Sequence, residues 1–115
     1  MHELITGLYD AFNARDIDRV TARFAPGVDW PNAWQGGRVV GRDAVREYWL
    51  RQWADIHPVV RPRLVRERAD GRYEALVDQT IRDRDGDLLS ETVVVHTYTV
   101  EGGLIARMDV GDPMI

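Results

Sequence analysis

The sequence predicts an α+β domain in which helices cover one face of a strongly curved, mainly antiparallel sheet. Three observations lead there. The first half carries apolar residues at helical spacing, the second half carries four strand-like runs, and tight-turn dipeptides separate those runs. Nothing in the 115 residues shifts in composition or repeats, so residues 1–115 read as one domain. A chain of this length buries about two thirds of its unfolded surface and needs no disulfide or metal to hold it.

The elements follow in order. Leu4, Ile5, Leu8, Ala11 and Phe12 recur every three or four residues and predict a helix over 2–14. Asp16 is a favourable N-cap for a second helix carrying Ile17, Val20 and Phe24, which Ala25-Pro26-Gly27 stops. Residues 28–34 read as extended, with Pro31 interrupting any regular ladder. Gly36-Gly37 is a turn and Arg38–Val40 a short strand. Gly41 precedes a third helix over 43–56, with Val45, Tyr48, Trp49, Gln52, Trp53 and Ile56 on one face, and His57-Pro58 ends it. Strands are predicted over 59–68, 73–82, 88–100 and 104–110, joined at Asp70-Gly71, Asp85-Gly86 and Glu101-Gly102-Gly103.

Composition excludes several chemistries. There is no cysteine, hence no disulfide, thiolate nucleophile or cysteine zinc site. All fifteen basic residues are arginine, which removes Schiff-base and P-loop lysine chemistry; a GC-rich, bacterial genome explains the bias. A net charge of −4 without a basic block argues against nucleic acid as a partner. No apolar run is long enough for a bilayer and the helical pattern begins at once, so a cytoplasmic protein is expected. His2, His57 and His96 are too scattered to suggest a metal site. Asp83-Arg84-Asp85-Gly86-Asp87 is acidic, but Val94 stands where a calcium loop needs its closing glutamate, so it reads as a hairpin turn. No cofactor motif is present, and none is expected.

All four tryptophans fall between residues 30 and 53. Trp49 and Trp53 lie on one helix face and read as core or pocket wall; Trp30 and Trp34 flank Pro31 in irregular backbone and read as the rim of an apolar site. Gln79 stands in an apolar strand row with Ala75, Val77 and Ile81, where a polar group needs a ligand, a water or another side chain.

Three strings resemble one family. Leu8-Tyr9-Asp10-Ala11-Phe12-Asn13-Ala14-Arg15-Asp16-Ile17-Asp18 resembles the helix-turn-helix opening of the NTF2-like superfamily. Phe24-Ala25-Pro26-Gly27-Val28-Asp29-Trp30 resembles its first strand, and Gly41-Arg42-Asp43-Ala44-Val45-Arg46-Glu47-Tyr48-Trp49 its third helix. Within it the chain is most similar to the SnoaL-like polyketide cyclase and ketosteroid isomerase-like group. The resemblance implies a cone, a bent sheet around the long helix with a pocket at its wide end, and a homodimer through the outer sheet face. It is specific for fold and weak for activity, since the superfamily holds many chemistries and many non-enzymes.

The resemblance also nominates residues. His96, on the third long strand with Val94 and Tyr98, falls where ketosteroid isomerases keep an oxyanion-stabilising acid and SnoaL-like cyclases a histidine. The alternative is a strand histidine bonded to a neighbour. Asp109, on the last strand, matches the aspartate that such cyclases use as general base; a carboxylate in an apolar cone would take an acidic C–H proton. Its alternative is a surface ion pair with Arg107. Arg107-x-Asp109 is also reminiscent of the epoxide-hydrolase branch, with Asp78 or Asp29 as second carboxylate. Asn32 aligns with the isomerases' catalytic aspartate and Leu8 with their oxyanion-hole tyrosine, Tyr9 being one residue off; both departures argue against steroid isomerisation. Asn32 would instead orient a ligand or stabilise a turn after Pro31. The expected function is a pocket for a bulky apolar molecule lined by Trp30, Asn32, Trp34, Trp49, Trp53, Gln79 and Tyr98, with Asp109 and His96 abstracting a proton beside a carbonyl. A non-catalytic binding module and a hydrolase using Arg107 and Asp109 are the alternatives.

Overall fold

The computed structural model describes residues 2–32 and 36–111, the side chain of His2 excepted. In chain order the elements are α1 (His2–Asn13), α2 (Ile17–Thr21), β1 (Phe24–Pro31), β2 (Arg38–Val40), α3 (Arg42–Asp55), β3 (Ile56–Glu67), β4 (Tyr73–Asp83), β5 (Leu88–Glu101) and β6 (Leu104–Gly111). The strands form a six-stranded sheet in the order β2-β1-β6-β5-β4-β3. It is mixed: β1 runs parallel to β6 and the other pairs are antiparallel. The helix α3 touches β1 and β2 at one end of this order and β3 at the other. Only a sheet bent around the helix brings both ends to it.

Three expectations need correcting. Three helices do form, but α2 has five residues with Val20 alone buried, and α3 follows β2 instead of joining an N-terminal group. Phe24 does not extend α2. It opens β1, fully buried and paired with Ile105, and the irregularity around Pro26-Gly27 is absorbed as a register shift before Asp29. The third helix ends at Asp55, just ahead of His57-Pro58 as expected, but β3 begins at Ile56 and not at 59, so the dipeptide is already strand. Pro58 and Pro62 fit there because β3 is a sheet edge, where a missing N–H breaks no ladder.

That edge is covered from inside. The Asn13 side chain donates from Nδ2 to the Val60 carbonyl at 2.7 Å and accepts the Val60 amide at 2.9 Å, as a neighbouring strand would. The C-terminal end of α1 is thereby fixed to the sheet. Gly41 caps α3 with φ +99°, a conformation that side chains rarely adopt.

The core runs from Ile5, Leu8 and Phe12 of α1 through Val45 and Trp49 of α3 to Val28, Ala75, Val77 and Ile105 of the sheet. Trp49 is central to it, with ring centroids 5.3 Å from Phe12, 5.0 Å from Trp30 and 5.7 Å from Phe24.

Asn13→Ala removes both bonds to Val60 while leaving the α1 apolar stripe intact. It is expected to cost about 1–3 kcal/mol, read by urea denaturation; a loss under about 0.5 kcal/mol would show that water replaces the amide freely.

Candidate functional site

Between α1, α3 and the inner sheet face lies a cavity of about 350 Å³. The helices contribute Leu8, Tyr9 and Phe12, then Tyr48, Trp49 and Gln52. The sheet contributes Trp30, Val60, Gln79, His96, Tyr98 and Met108, with Ile56, Pro58, Ile81 and Val110 also in the wall. Among the described residues the lining holds no carboxylate, lysine or arginine.

Three of its polar groups converge on one point, and Gln52 donates separately to the Tyr48 hydroxyl at 3.4 Å. Tyr98 donates to the Tyr9 hydroxyl at 2.7 Å, and the Tyr9 hydroxyl meets His96 Nδ1 at 2.8 Å. The three rings are packed as well: Tyr9 stacks near His96 with centroids 5.9 Å apart, and Tyr98 stands edge-on to both. Sheet pairing accounts for half of this, since His96 and Tyr98 alternate with Thr97 on β5 and so share the inner face. Helix spacing supplies the rest: Tyr9 is four residues after Ile5 and three before Phe12, on the buried stripe of α1. The family alignment points to Leu8, one residue before, whereas the helical spacing marks Tyr9 itself.

Burial sets the protonation states. Desolvation pushes the His96 pKa down to about 4, so the imidazole is neutral near pH 7. Desolvation likewise raises the hydroxyls of Tyr9 and Tyr98 well above the ordinary phenol value. Because the Tyr9 hydroxyl already accepts from Tyr98, its own proton is free for Nδ1, and the tautomer that takes it carries the ring proton on Nε2. The pole offers hydrogen bonds and no charge.

Asp109 is not part of it. His96 lies opposite Val110 on β6, and Asp109 lies opposite Thr97 on the outer face. A bulge causes this. Val100 pairs with Ile105, but Thr99 pairs with Arg107, leaving Ala106 as an extra residue. Continued without that residue, the register would set Asp109 against His96. With it, Asp109 joins an outer ion cluster: Arg107 donates to it at 3.0–3.2 Å and to Asp29 at 2.9 Å, while Arg38 bonds Asp29 at 2.6 Å. Arg107's hydrogen bonds hold the Asp109 carboxyl below the usual carboxylate range. The surface-pair alternative describes this geometry, and the pairing of Asp109 with His96 as base and acid does not. The residues of the hydrolase alternative, Arg107, Asp109 and Asp29, do meet, but outside the cavity. Asp78 is elsewhere on that face, held by both arms of Arg63 at 2.6–2.7 Å.

The other candidates divide. Trp30, Trp49, Gln79 and Tyr98 line the cavity, Trp30 as a buried inner wall and not a rim. Trp53 does not line it. It packs edge-on to Phe12 at 5.3 Å, beneath the Arg15 guanidinium, and its buried indole N–H has no partner among the described residues. Asn32 is outside the lining and forms a turn, its amide bonding Gly37 and its carbonyl accepting from Gly36, both at 3.0 Å. Trp34 lies outside the described residues. Among the described residues no helix is long and apolar enough to cross a membrane, and no cluster of His, Asp and Glu could hold a metal ion.

The SnoaL-like domain model matches residues 5–108. The chain belongs to the SnoaL-like family. No curated protein matches it by sequence. Solved structures do match by shape. TerC, crystallised with polyporic acid, is 23% identical with a TM-score of 0.81, over 96% of this chain and 89% of its own. An NTF2-like protein of unknown function from Burkholderia pseudomallei is 22% identical at TM-score 0.83, over 97% and 89%. A Mycobacterium tuberculosis protein in complex with estradiol-17β-hemisuccinate is 20% identical at TM-score 0.79, over 91% and 87%. At these identities the likeness is one of fold.

The buried imidazole makes stability depend on pH. Its folded pKa lies below the unfolded value near 6.5, so the unfolded chain binds the extra proton and stability falls as pH drops from about 6.5 to about 4. The full loss is of the order of 3 kcal/mol. Asp109, Asp78 and Asp70, whose pKa values are lowered, lose their contribution only at more acid pH. Denaturation at pH 7, 6, 5 and 4 is expected to show this slope in the native chain and a flatter one in His96→Asn. Parallel slopes in both would place the titration elsewhere.

Proposed function

We propose that this protein binds a bulky apolar small molecule in the cavity and holds an oxygen of that molecule against the Tyr9–His96–Tyr98 pole. The observation that carries this reading is the composition of the cavity wall, aromatic and aliphatic except for that cluster, the Tyr48 hydroxyl and the amides Gln52 and Gln79. Polyporic acid and estradiol-17β-hemisuccinate, in TerC and the M. tuberculosis protein, are ring systems that carry oxygens, and they support the same class here.

The reading is binding and not proton abstraction. A general base near a carbonyl needs a pKa matched to its task. Among the described residues the cavity lining offers no carboxylate, and its imidazole, at about 4, is a weak base. The pole suits an oxygen that accepts from Nε2–H of His96 or from a tyrosine hydroxyl, such as a carbonyl or a phenol.

A matched pair of ligands tests it. Calorimetry with 2-naphthol and naphthalene is expected to show both binding, the naphthol about tenfold more tightly. Tyr9→Phe and His96→Leu are expected to reduce that advantage while sparing naphthalene. Equal affinities for the two in the native chain would remove the pole from ligand recognition.

We also propose a homodimer through the outer sheet face. Leu64, 56% exposed, lies there opposite Leu76, with Val93 and Val95 next on β5. Paired charges, Arg63–Asp78 and Arg66–Glu74, flank the patch. Light scattering at micromolar concentration is expected to give twice the chain mass of 13.2 kDa, and Leu76→Arg to give the monomer. A monomeric native chain would sink the proposal.

A further inference from the structure

Gln79 lines the cavity with an amide that, among the described residues, makes no hydrogen bond. It stands half-buried on the inner row of β4, between Val77 and Ile81. Its cross-strand neighbours are Val60, also in the wall, and Thr92. The remaining polar groups behave differently. Tyr9, His96 and Tyr98 bond one another, and Gln52, more deeply buried, donates to Tyr48 within α3.

An amide offers two N–H donors and a carbonyl acceptor. Solvent can serve them while the cavity stands open. A bulky apolar occupant displaces that solvent, and the amide then loses its hydrogen bonds unless the occupant supplies them. Leaving such a group unserved costs about 1–3 kcal/mol where burial is complete. Apolar side chains at the same place, like Ala75, Val77 and Ile81 of the same row, would accept carbon without that cost. A wall amide therefore selects for a ligand with a polar group at its level and against one that presents carbon there.

That level is well separated from the pole. His96 pairs across the strands with Ala75, and Gln79 is four residues further along β4 on the same face. At the rise of a strand this is about 13 Å along the sheet. Both levels open into one cavity. A molecule that meets both is elongated, with polar groups at opposite ends of at least two joined rings.

We propose that Gln79 binds a hydroxyl at the end of the ligand remote from the pole, so that the molecule in the cavity is an elongated ring system oxygenated at both ends. A hydroxyl suits the amide in both senses, accepting from Nε2–H and donating to Oε1. This rests on the reading of the cavity as an apolar ligand site with one ligand oxygen at the pole.

Three phenols with the same two rings test it. 4-Phenylphenol carries one hydroxyl, 4,4′-dihydroxybiphenyl adds a second at the opposite end, and 3,4-dihydroxybiphenyl adds it beside the first. Calorimetry is expected to show all three binding, with 4,4′-dihydroxybiphenyl about five- to tenfold tighter than the other two. Gln79→Met keeps an unbranched side chain and removes the amide. It is expected to weaken 4,4′-dihydroxybiphenyl and to strengthen 4-phenylphenol, an exchange that a merely destabilised variant would not give. Equal affinity of the two dihydroxybiphenyls in the native chain overturns the inference and leaves the apolar site standing. A 4,4′ preference that survives Gln79→Met overturns the assignment to Gln79. Binding of none of the three overturns the cavity reading and the inference with it.

Discussion

A residue in a strand faces one side of the sheet and its neighbours face the other, and in this chain that alternation separates an uncharged cavity from a charged outer face. On β4 the inner row is Tyr73, Ala75, Val77, Gln79 and Ile81, and the outer row holds Glu74, Leu76 and Asp78. On β5 His96 and Tyr98 turn inward while Val95 and Thr97 turn out. Because the period is two, one inserted residue reverses everything beyond it. The extra Ala106 on β6 is such an insertion. It lets Ile105 and Met108 both point inward, at 0% and 3% exposure, although they are three residues apart. The same insertion carries Arg107 and Asp109 outward together. Core packing and the exclusion of a carboxylate from the cavity therefore have one cause.

The family assignment and the shape comparisons agree on fold, and the cavity wall narrows what the fold is used for here. An aspartate placed opposite His96 would have given the cavity an acid–base pair. Instead Asp29 and Asp109 lie outside, bound to arginines, and the described lining keeps a neutral ring, three tyrosine hydroxyls and two amides. That composition is what supports the proposed binding of a ring system through one of its oxygens.

How much the sequence discloses depends on whether the deciding interaction is periodic. The helical stripe of α1 and the alternation of β4 are periodic, and they place Phe12, Gln79 and His96 on the cavity side in advance. The bulge is not periodic, and no glycine marks it, so Asp109 reads as a partner of His96 until the pairing is seen. Pro58 marks the end of α3 but hides the start of β3 at Ile56: proline interrupts a central strand but fits an edge, and edge status is a property of the assembled sheet. Tyr9 was legible, four residues after Ile5, once a tyrosine is allowed on an apolar face. Trp49 and Trp53 share one helix face yet part at the cavity wall, because ring orientation depends on packing that spacing does not encode.

The hydrogen-bond order in the polar pole supports the proposed recognition of a neutral acceptor. Tyr98 gives its proton to Tyr9, and in the tautomer that continues this order Tyr9 gives its own to His96 Nδ1 and Nε2–H is the remaining donor. Protonating the ring would put a second proton on Nδ1. Tyr9 would then have to accept from both sides and send its hydroxyl proton to a new partner. Burial alone already opposes the cation, which is why the imidazole pKa falls to about 4. The rearranged bonds oppose it further. An ammonium ligand would meet a donor in Nε2–H and gain nothing, whereas a carbonyl or phenol oxygen completes the sequence of bonds without moving any proton.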